Sequence, residues 1–265
     1  MKSTPPPFAP STLMSSTRLR VATYNIHKGV RGVGPRRRLE IHNLALGVEA
    51  LDSDLVFLQE VRSSNQREAL QFPDTNVGWP RSPQADFLAP LGYDVAYRTN
   101  AVTRHGEHGN ALLSRWPMGD IGHQDVSDHR FEQRGLLHVP VQWNDVTVHA
   151  IVAHLGLMHS GRVRQVERIS AFIESVVPHG EAIVLAGDFN DWGEKLDAPM
   201  RRMGLQRAQC EATPVPRTFP SLVPFFSLDR IYQRGFRCVS CHAPRGNTWA
   251  RMSDHLPLVA ELEFA

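Results

Sequence analysis

Residues 182–190 read Ala-Ile-Val-Leu-Ala-Gly-Asp-Phe-Asn. Five apolar residues in a row do not suit a strand with one wet face, which would alternate. They predict a strand buried on both faces. The run stops at Gly187-Asp188, and the following residues suit a tight turn with Asx bonding. An apolar strand that ends on a metal- or phosphate-binding type of residue is the unit from which the rest of the chain is read.

That unit recurs. Leu55–Leu58 is another short apolar run, ending at Gln59-Glu60, and Val146–Ala153 ends at His154. Leu19–Tyr24 alternates as a strand does and ends at Asn25. Further strands are predicted at Ala111–Ser114, Leu136–Val141, Ser227–Tyr232, Phe236–Ser240 and Leu256–Phe264. Helical spacing links Leu44, Val48 and Leu51. It also links Val163, Val166, Ile169, Ile173 and Val176, and a short helix is predicted near Leu196–Met203. Gly29–Arg38 reads as a basic loop, residues 193–225 as loop-rich, and residues 62–108 as irregular, broken by Pro73, Pro80, Pro83 and Pro90. Strands outnumber helices, and several are apolar throughout. The prediction is an α/β (α+β) fold with sheet packed on sheet and sheet on helix. No repeat and no second boundary is visible, so residues 18–265 are read as one catalytic domain behind a disordered leader, residues 1–17.

Six endings carry polar chemistry: Asn25, Glu60, His154, Asp188, Asp229 and the Asp254-His255 pair. Each has a plain structural alternative. Glu60 suits an exposed strand end, Asn25 and Gly187–Asp191 suit turns, His154 suits a satisfied core histidine, and Asp254-His255 before Pro257 suits a solvated turn. Asp229, inside an otherwise apolar strand, needs a partner, and a histidine is a natural one. Together they supply hard oxygen donors for a cation such as Mg2+, and two histidines with further carboxylates for proton transfer. Packing alone does not account for so many at strand ends.

Composition narrows the classes. The 265 residues suit one large domain, and a net charge of +2 is not that of a protein held on nucleic acid by charge alone. Lysine occurs only at positions 2, 28 and 195; the remaining basic residues are Arg. Three cysteines argue against a disulfide framework. No apolar run approaches the roughly 18 residues that span a bilayer, and the N-terminal stretch lacks the apolar core of an export signal. A cytoplasmic, monomeric protein without a stable protein partner is expected. Cys238-Val239-Ser240-Cys241-His242 matches the haem-attachment pattern, but export precedes that attachment, and two ordinary cysteines in a strand are the simpler reading.

In order along residues 19–264, seven short motifs resemble those of the endonuclease/exonuclease/phosphatase superfamily: Ala22–Asn25, Leu58–Val61, Gly109–Arg115, Ala153–Leu155, Ala186–Asn190, Leu228–Ile231 and Ser253–Pro257. The resemblance implies a DNase I-like four-layer sandwich, two mixed sheets face to face with helices outside. It implies a Mg2+-dependent phosphodiesterase, with Mn2+ as a possible substitute, using in-line attack of water. It assigns Glu60, Asn25 and Asp254 to the metal. It assigns Asp188 to the attacking water, Asn190 and His154 to the phosphate, and His255 to the phosphate or a proton, with Asp229 orienting His255. Either Asp188 or His255 is left open as general base. His154-Leu155-Gly156-Leu157, where apurinic endonucleases carry a Tyr in a Pro-Asn-Gly context, places the chain toward the DNase I and sphingomyelinase branch. Asn25–Gly32 resembles a bacterial subgroup without a defined substrate. The expected partner is a phosphate ester: a phospholipid head group, a small phosphodiester or, alternatively, DNA or RNA cut by an endonuclease. Trp79, Arg81 and Phe87 in residues 62–108 suit a nucleic acid or a membrane surface equally.

Overall fold

The computed structural model describes residues 17–32, 34–73, 77–129, 131–210 and 213–265. Nearly all of the predicted leader lies outside them. In chain order the elements are β1 (Arg18–Asn25), β2 (Val30–Arg31), β3 (Arg38–Leu39), α1 (Ile41–Leu51), β4 (Leu55–Val61), α2 (Gln66–Gln71) and α3 (Gln84–Leu88). Then come β5 (Asp94–Thr103), β6 (Gly106–Ser114), β7 (Gly122–Asp125), β8 (Gly135–Trp143), β9 (Val146–His154) and α4 (His159–Val176). The last are β10 (Ala182–Asp188), α5 (Asp197–Arg202), β11 (Gln206–Arg207), β12 (Asp229–Arg234), β13 (Phe236–His242), α6 (Asn247–Met252) and β14 (Leu258–Phe264).

Two mixed six-stranded sheets result, in the orders β13-β14-β1-β4-β6-β5 and β11-β12-β10-β9-β8-β7. Each is built around a parallel pair, β1 with β4 and β10 with β9, flanked by antiparallel neighbours. Strand side chains alternate between faces, and this sorts the core into layers. Leu19, Val21, Leu55 and Phe57 meet Val139, Val148, Val152 and Val184 between the sheets. The intervening Ala22, Tyr24, Val56 and Leu58 face α1, α3 and α6. Ile151, Ile183 and Leu185 face α4 and α5. The apolar runs are thus strands with no wet face, and the expected four-layer α/β sandwich is what forms.

Three local expectations are corrected. Residues 62–108 are not irregular: they hold α2, α3 and the ten-residue β5. Strand β5 is an edge strand with only Ala96 and Ala101 buried, so it carries no apolar signal. In α4, Val163 and Val176 face outward; the buried stripe is Val166, Ile169, Phe172 and Ile173, extended by Arg162 and Gln165. Arg162 is buried because it caps the carbonyls of Gly156 (3.1 Å) and Leu157 (2.6 Å). The strand predicted at Ser227 starts at Asp229, and that predicted at Leu256 starts at Leu258, after Pro257.

Candidate active site

All eight predicted residues converge at one end of the sandwich. Asn25, His154 and Asp188 are the last residues of β1, β9 and β10, and Asp229 is the first of β12. Register places His154, Asp188 and Asp229 side by side on three adjacent strands. Gly187 is obligatory beside them, because a Cβ there would lie 1.7 Å from the Ala153 carbonyl oxygen. Glu60 is not quite a strand end. It sits where the β4–β6 register jumps between Leu58 and Val61, with φ 58°, which re-aims its side chain. Asp254 and His255 lie in the loop before β14.

The centre of the site is the Asp188 carboxylate. Its Oδ2 accepts from Asn25 Nδ2 at 3.1 Å and lies 3.6 Å from both His154 Nε2 and His255 Nε2. Its Oδ1 accepts from the Asn190 amide at 2.9 Å, the Asx turn anticipated for Gly187–Asp191. Asn190 is thereby held at φ 48°, and its Nδ2 donates to the Leu155 carbonyl at 2.9 Å. On the far side, His255 Nδ1 bonds Asp229 Oδ2 at 2.8 Å, the pairing expected of a buried strand aspartate. Asn25 Nδ2 also reaches Glu60 Oε1 at 3.5 Å, so one amide ties the two sheets together at the site.

The two histidines are pushed apart electrostatically. Burial, with repulsion from Arg134, drives His154 down to about 4, so it is neutral at pH 7. Burial also opposes charge on His255, but Asp229 and Asp188 override it and push the imidazolium up to about 10. Burial raises the Asp188 carboxyl above the usual range, Asp229 adding to it against the pull of His255 and His154. Burial would raise Glu60 too, but Lys28, His154 and His27 hold it well below the usual carboxylate range. Asp254, likewise opposed by burial, is held low by His27 and His255. Opposed histidine charge states beside a basic carboxylate are the arrangement expected of acid–base chemistry.

His255 fixes the sign of one pH effect. Its folded value lies above the roughly 6.5 of an unfolded histidine, so its contribution to stability is complete below about 6.5 and lost as pH rises through about 10. The urea midpoint is therefore expected to fall between pH 7 and 10.5. Asp229→Asn should flatten that fall, and an unchanged slope in the variant would disprove the linkage.

Among the described residues, Asp188, Asp229 and His255 also offer ligand atoms within 4.8 Å of one another. Within that trio His255 Nδ1 is already engaged by Asp229 Oδ2 at 2.8 Å. The second group of acids is different. Lys28 Nζ lies 2.9 Å from Glu60 Oε2, and His27 Nδ1 lies 3.3 Å from Asp254 Oδ2. Two carboxylates held below the usual range, one facing the Lys28 ammonium and the other the His27 ring, supply hard oxygen donors.

Sequence reasoning left several neighbours without a role. Asn110, in the third motif, donates to the carbonyls of Gly135 (2.8 Å) and Val152 (3.3 Å), bridging the sheets under the site. Arg134 donates to the Leu155 carbonyl at 3.2 Å beside His154. His108 is driven down to about 4 by burial and Lys28. Phe219 packs on His255 with ring centres 4.8 Å apart, and Trp192 packs on Phe219 and Phe226. The short Gly-Asn signal at 109–110 marks Asn110; nothing local marks the others. The haem pattern falls on β13, an edge strand whose Cys241 packs between the sheets and whose thiols burial pushes up to about 11 (Cys238) and 12 (Cys241).

A four-layer sandwich carrying an acid–histidine site across both sheets defines the DNase I-like class of fold. The sequence pattern of the endonuclease/exonuclease/phosphatase family matches residues 22–255, and the chain belongs to that family. Members are hydrolases acting on phosphate esters. YbhP of Escherichia coli K12, itself uncharacterized, is 36% identical over 250 residues, covering 92% of this chain and 96% of YbhP. An endonuclease/exonuclease/phosphatase from Beutenbergia cavernae superposes with a TM-score of 0.71 at 21% identity, over 94% of this chain and 72% of that one. A mannosyl-6-phosphatase of Bacteroides thetaiotaomicron superposes with a TM-score of 0.66 at 19% identity, over 93% of this chain and all of that one. No helix among the described residues is long and apolar enough to cross a membrane.

Proposed function

We propose that the chain hydrolyses a phosphodiester by in-line attack of water, assisted by a divalent cation such as Mg2+, with Mn2+ able to substitute. The observation that carries this reading is the buried Asp188 carboxylate held 3.6 Å from both His154 Nε2 and His255 Nε2. Asp188, made more basic by burial, orients the water and takes its proton. His255, already protonated, serves poorly as a base. It donates instead to a non-bridging phosphate oxygen, with Asp229 fixing its tautomer. His154 and Asn190 contact the phosphate from the other side. Glu60, Asn25 and Asp254 would hold the cation, and two ionised carboxylates with one carboxamide oxygen fit one. When bound, the cation supplies charge neutralisation at the phosphate.

The surroundings favour a diester with apolar substituents, such as a phospholipid, over a nucleic acid. Large apolar side chains stand exposed on both rims: Val102, Phe131, Leu157 and Met158 on one side, and Trp192, Leu222, Val223 and Phe225 on the other. A groove of about 680 Å³ runs along the first rim. Nucleic acid would call for a track of unpaired cations. Here Arg37, Arg38, Arg62 and Arg134 are already paired with Glu68, Glu40, Glu68 and Glu132.

The test offers Mg2+ with bis-p-nitrophenyl phosphate, the monoester p-nitrophenyl phosphate, phosphatidylglycerol vesicles and supercoiled plasmid, against EDTA and His255→Ala controls. Expected are EDTA-sensitive cleavage of the simple diester, faster cleavage of the vesicle lipid, and slow nicking of plasmid. Plasmid cut faster than lipid would establish the endonuclease alternative. Release of phosphate from monoesters alone would refute the diester reading.

A further inference from the structure

The turn after β1 uses two strained residues to set an ammonium and an imidazole on two carboxylates. His27 (φ 46°) and Lys28 (φ 62°) are consecutive residues in the left-handed region that favours glycine. The turn is locked from behind by Gln84, which is buried. Gln84 Nε2 donates to the Lys28 carbonyl at 2.9 Å, and its Oε1 accepts from the Arg62 amide at 2.8 Å. The Glu40 amide donates to the Gly29 carbonyl at 2.9 Å, closing the loop. This construction delivers Lys28 Nζ to Glu60 Oε2 at 2.9 Å and His27 to Asp254. The residue type matters as well. Only three of the 29 basic residues are Lys, and the other two stand at positions 2 and 195. A guanidinium would engage a carboxylate as a planar fork, whereas an ammonium is a compact point charge that sits on one oxygen, as a small metal ion does.

We propose that Lys28 is a resident counter-ion of the cation subsite. Without metal it neutralises Glu60; a divalent cation binds by displacing it; the freed ammonium then takes the phosphate of the substrate. The inference rests on the cation reading above and deepens it. The Lys28 side chain is 31% exposed, which leaves it room to swing toward the open site. Two consequences follow. Cation affinity is lowered by the ion pair that must break. Cation and phosphate bind with positive coupling, because both favour the displaced Lys28, and the coupling is reciprocal.

The test is titration calorimetry of the full chain with Mg2+, alone and with inorganic phosphate, for the wild type, Lys28→Met, Lys28→Gln and Glu60→Gln. Thermal melts are run in EDTA and in Mg2+. Both Lys28 variants are expected to bind Mg2+ about tenfold more tightly than the wild type. Phosphate should tighten Mg2+ binding in the wild type and not in the variants, and Glu60→Gln should lose Mg2+. Lys28 variants that fold only with Mg2+ also support the proposal, since the metal then replaces the ammonium. Mg2+ affinity that depends on Glu60 but is equal or weaker in both Lys28 variants overturns the counter-ion role and leaves the cation reading standing. No binding to the wild type or to either Lys28 variant overturns both. Lys28 variants that fold in neither condition also defeat the proposal, because metal and ammonium are then not interchangeable.

Discussion

Asp188→Asn is expected to lower phosphodiester hydrolysis by about 10²–10⁴-fold with only a small change in stability. The two halves of the expectation have one origin. Asp188 is buried, and both its burial and the charge of Asp229 work against its ionised form. Removing that charge relieves its desolvation but takes an acceptor from Asn25 Nδ2 and a counter-charge from His255, so the gain and the losses offset. Asn keeps the Oδ1 acceptor for the Asn190 amide, so the turn after β10 survives. It cannot take a proton from water. The measurement is kcat and Tm on one preparation. Activity within a few-fold of the wild type would remove Asp188 from the role given to it, and lost activity with an equal loss of Tm would make the residue structural.

Arg230→Met should destabilise the protein by about 3–5 kcal/mol, the range for removing one partner of a buried ion pair. Arg230 is fully buried and spans the layer behind the site. Its Nη1 donates to Asp191 Oδ2 (3.0 Å), Asp197 Oδ1 (3.1 Å) and the Tyr232 hydroxyl (3.0 Å), and its Nη2 to the Asp191 carbonyl (3.2 Å). Without it, the buried Asp191 carboxylate keeps, among the described residues, a distant Arg162, 3.9 Å away, and the Leu196 amide. At about 2–4 °C per kcal/mol for a domain of this size, Tm should fall by roughly 6–20 °C. Arg230→Met combined with Asp191→Leu should recover much of the loss, because the orphaned charge goes too. A single variant within about 1 kcal/mol of the wild type in urea would show that the pair does not matter in this way.

What the sequence discloses follows what each residue packs against. Strands with no wet face, such as β10 and the front of β4, carry unbroken apolar runs and can be read directly. Edge strands cannot: β5 and β7 bury little, and their residues resemble loop. The candidate site was legible as polar residues ending apolar strands, and the order of the motifs linked them. Its wiring was not legible. That His255 bonds Asp229 was implied only by the resemblance, and that Lys28 meets Glu60 depends on a turn in the left-handed region and on a bulge. Neither leaves a local pattern, because glycine, the usual sign of such backbone, is absent at His27, Lys28 and Glu60.

Asn25 belongs to one sheet and Asp188 to the other, yet a single 3.1 Å hydrogen bond joins them. Each half of the sandwich carries only part of the site: Asn25, Glu60 and the Asp254-His255 pair come with one sheet, and His154, Asp188 and Asp229 with the other. A chimera exchanging one sheet with a relative would inherit the chemistry of both parents only if the mating angle of the sheets survived to within a fraction of an ångström. The unit of inheritance in this protein is the seam, not the sheet.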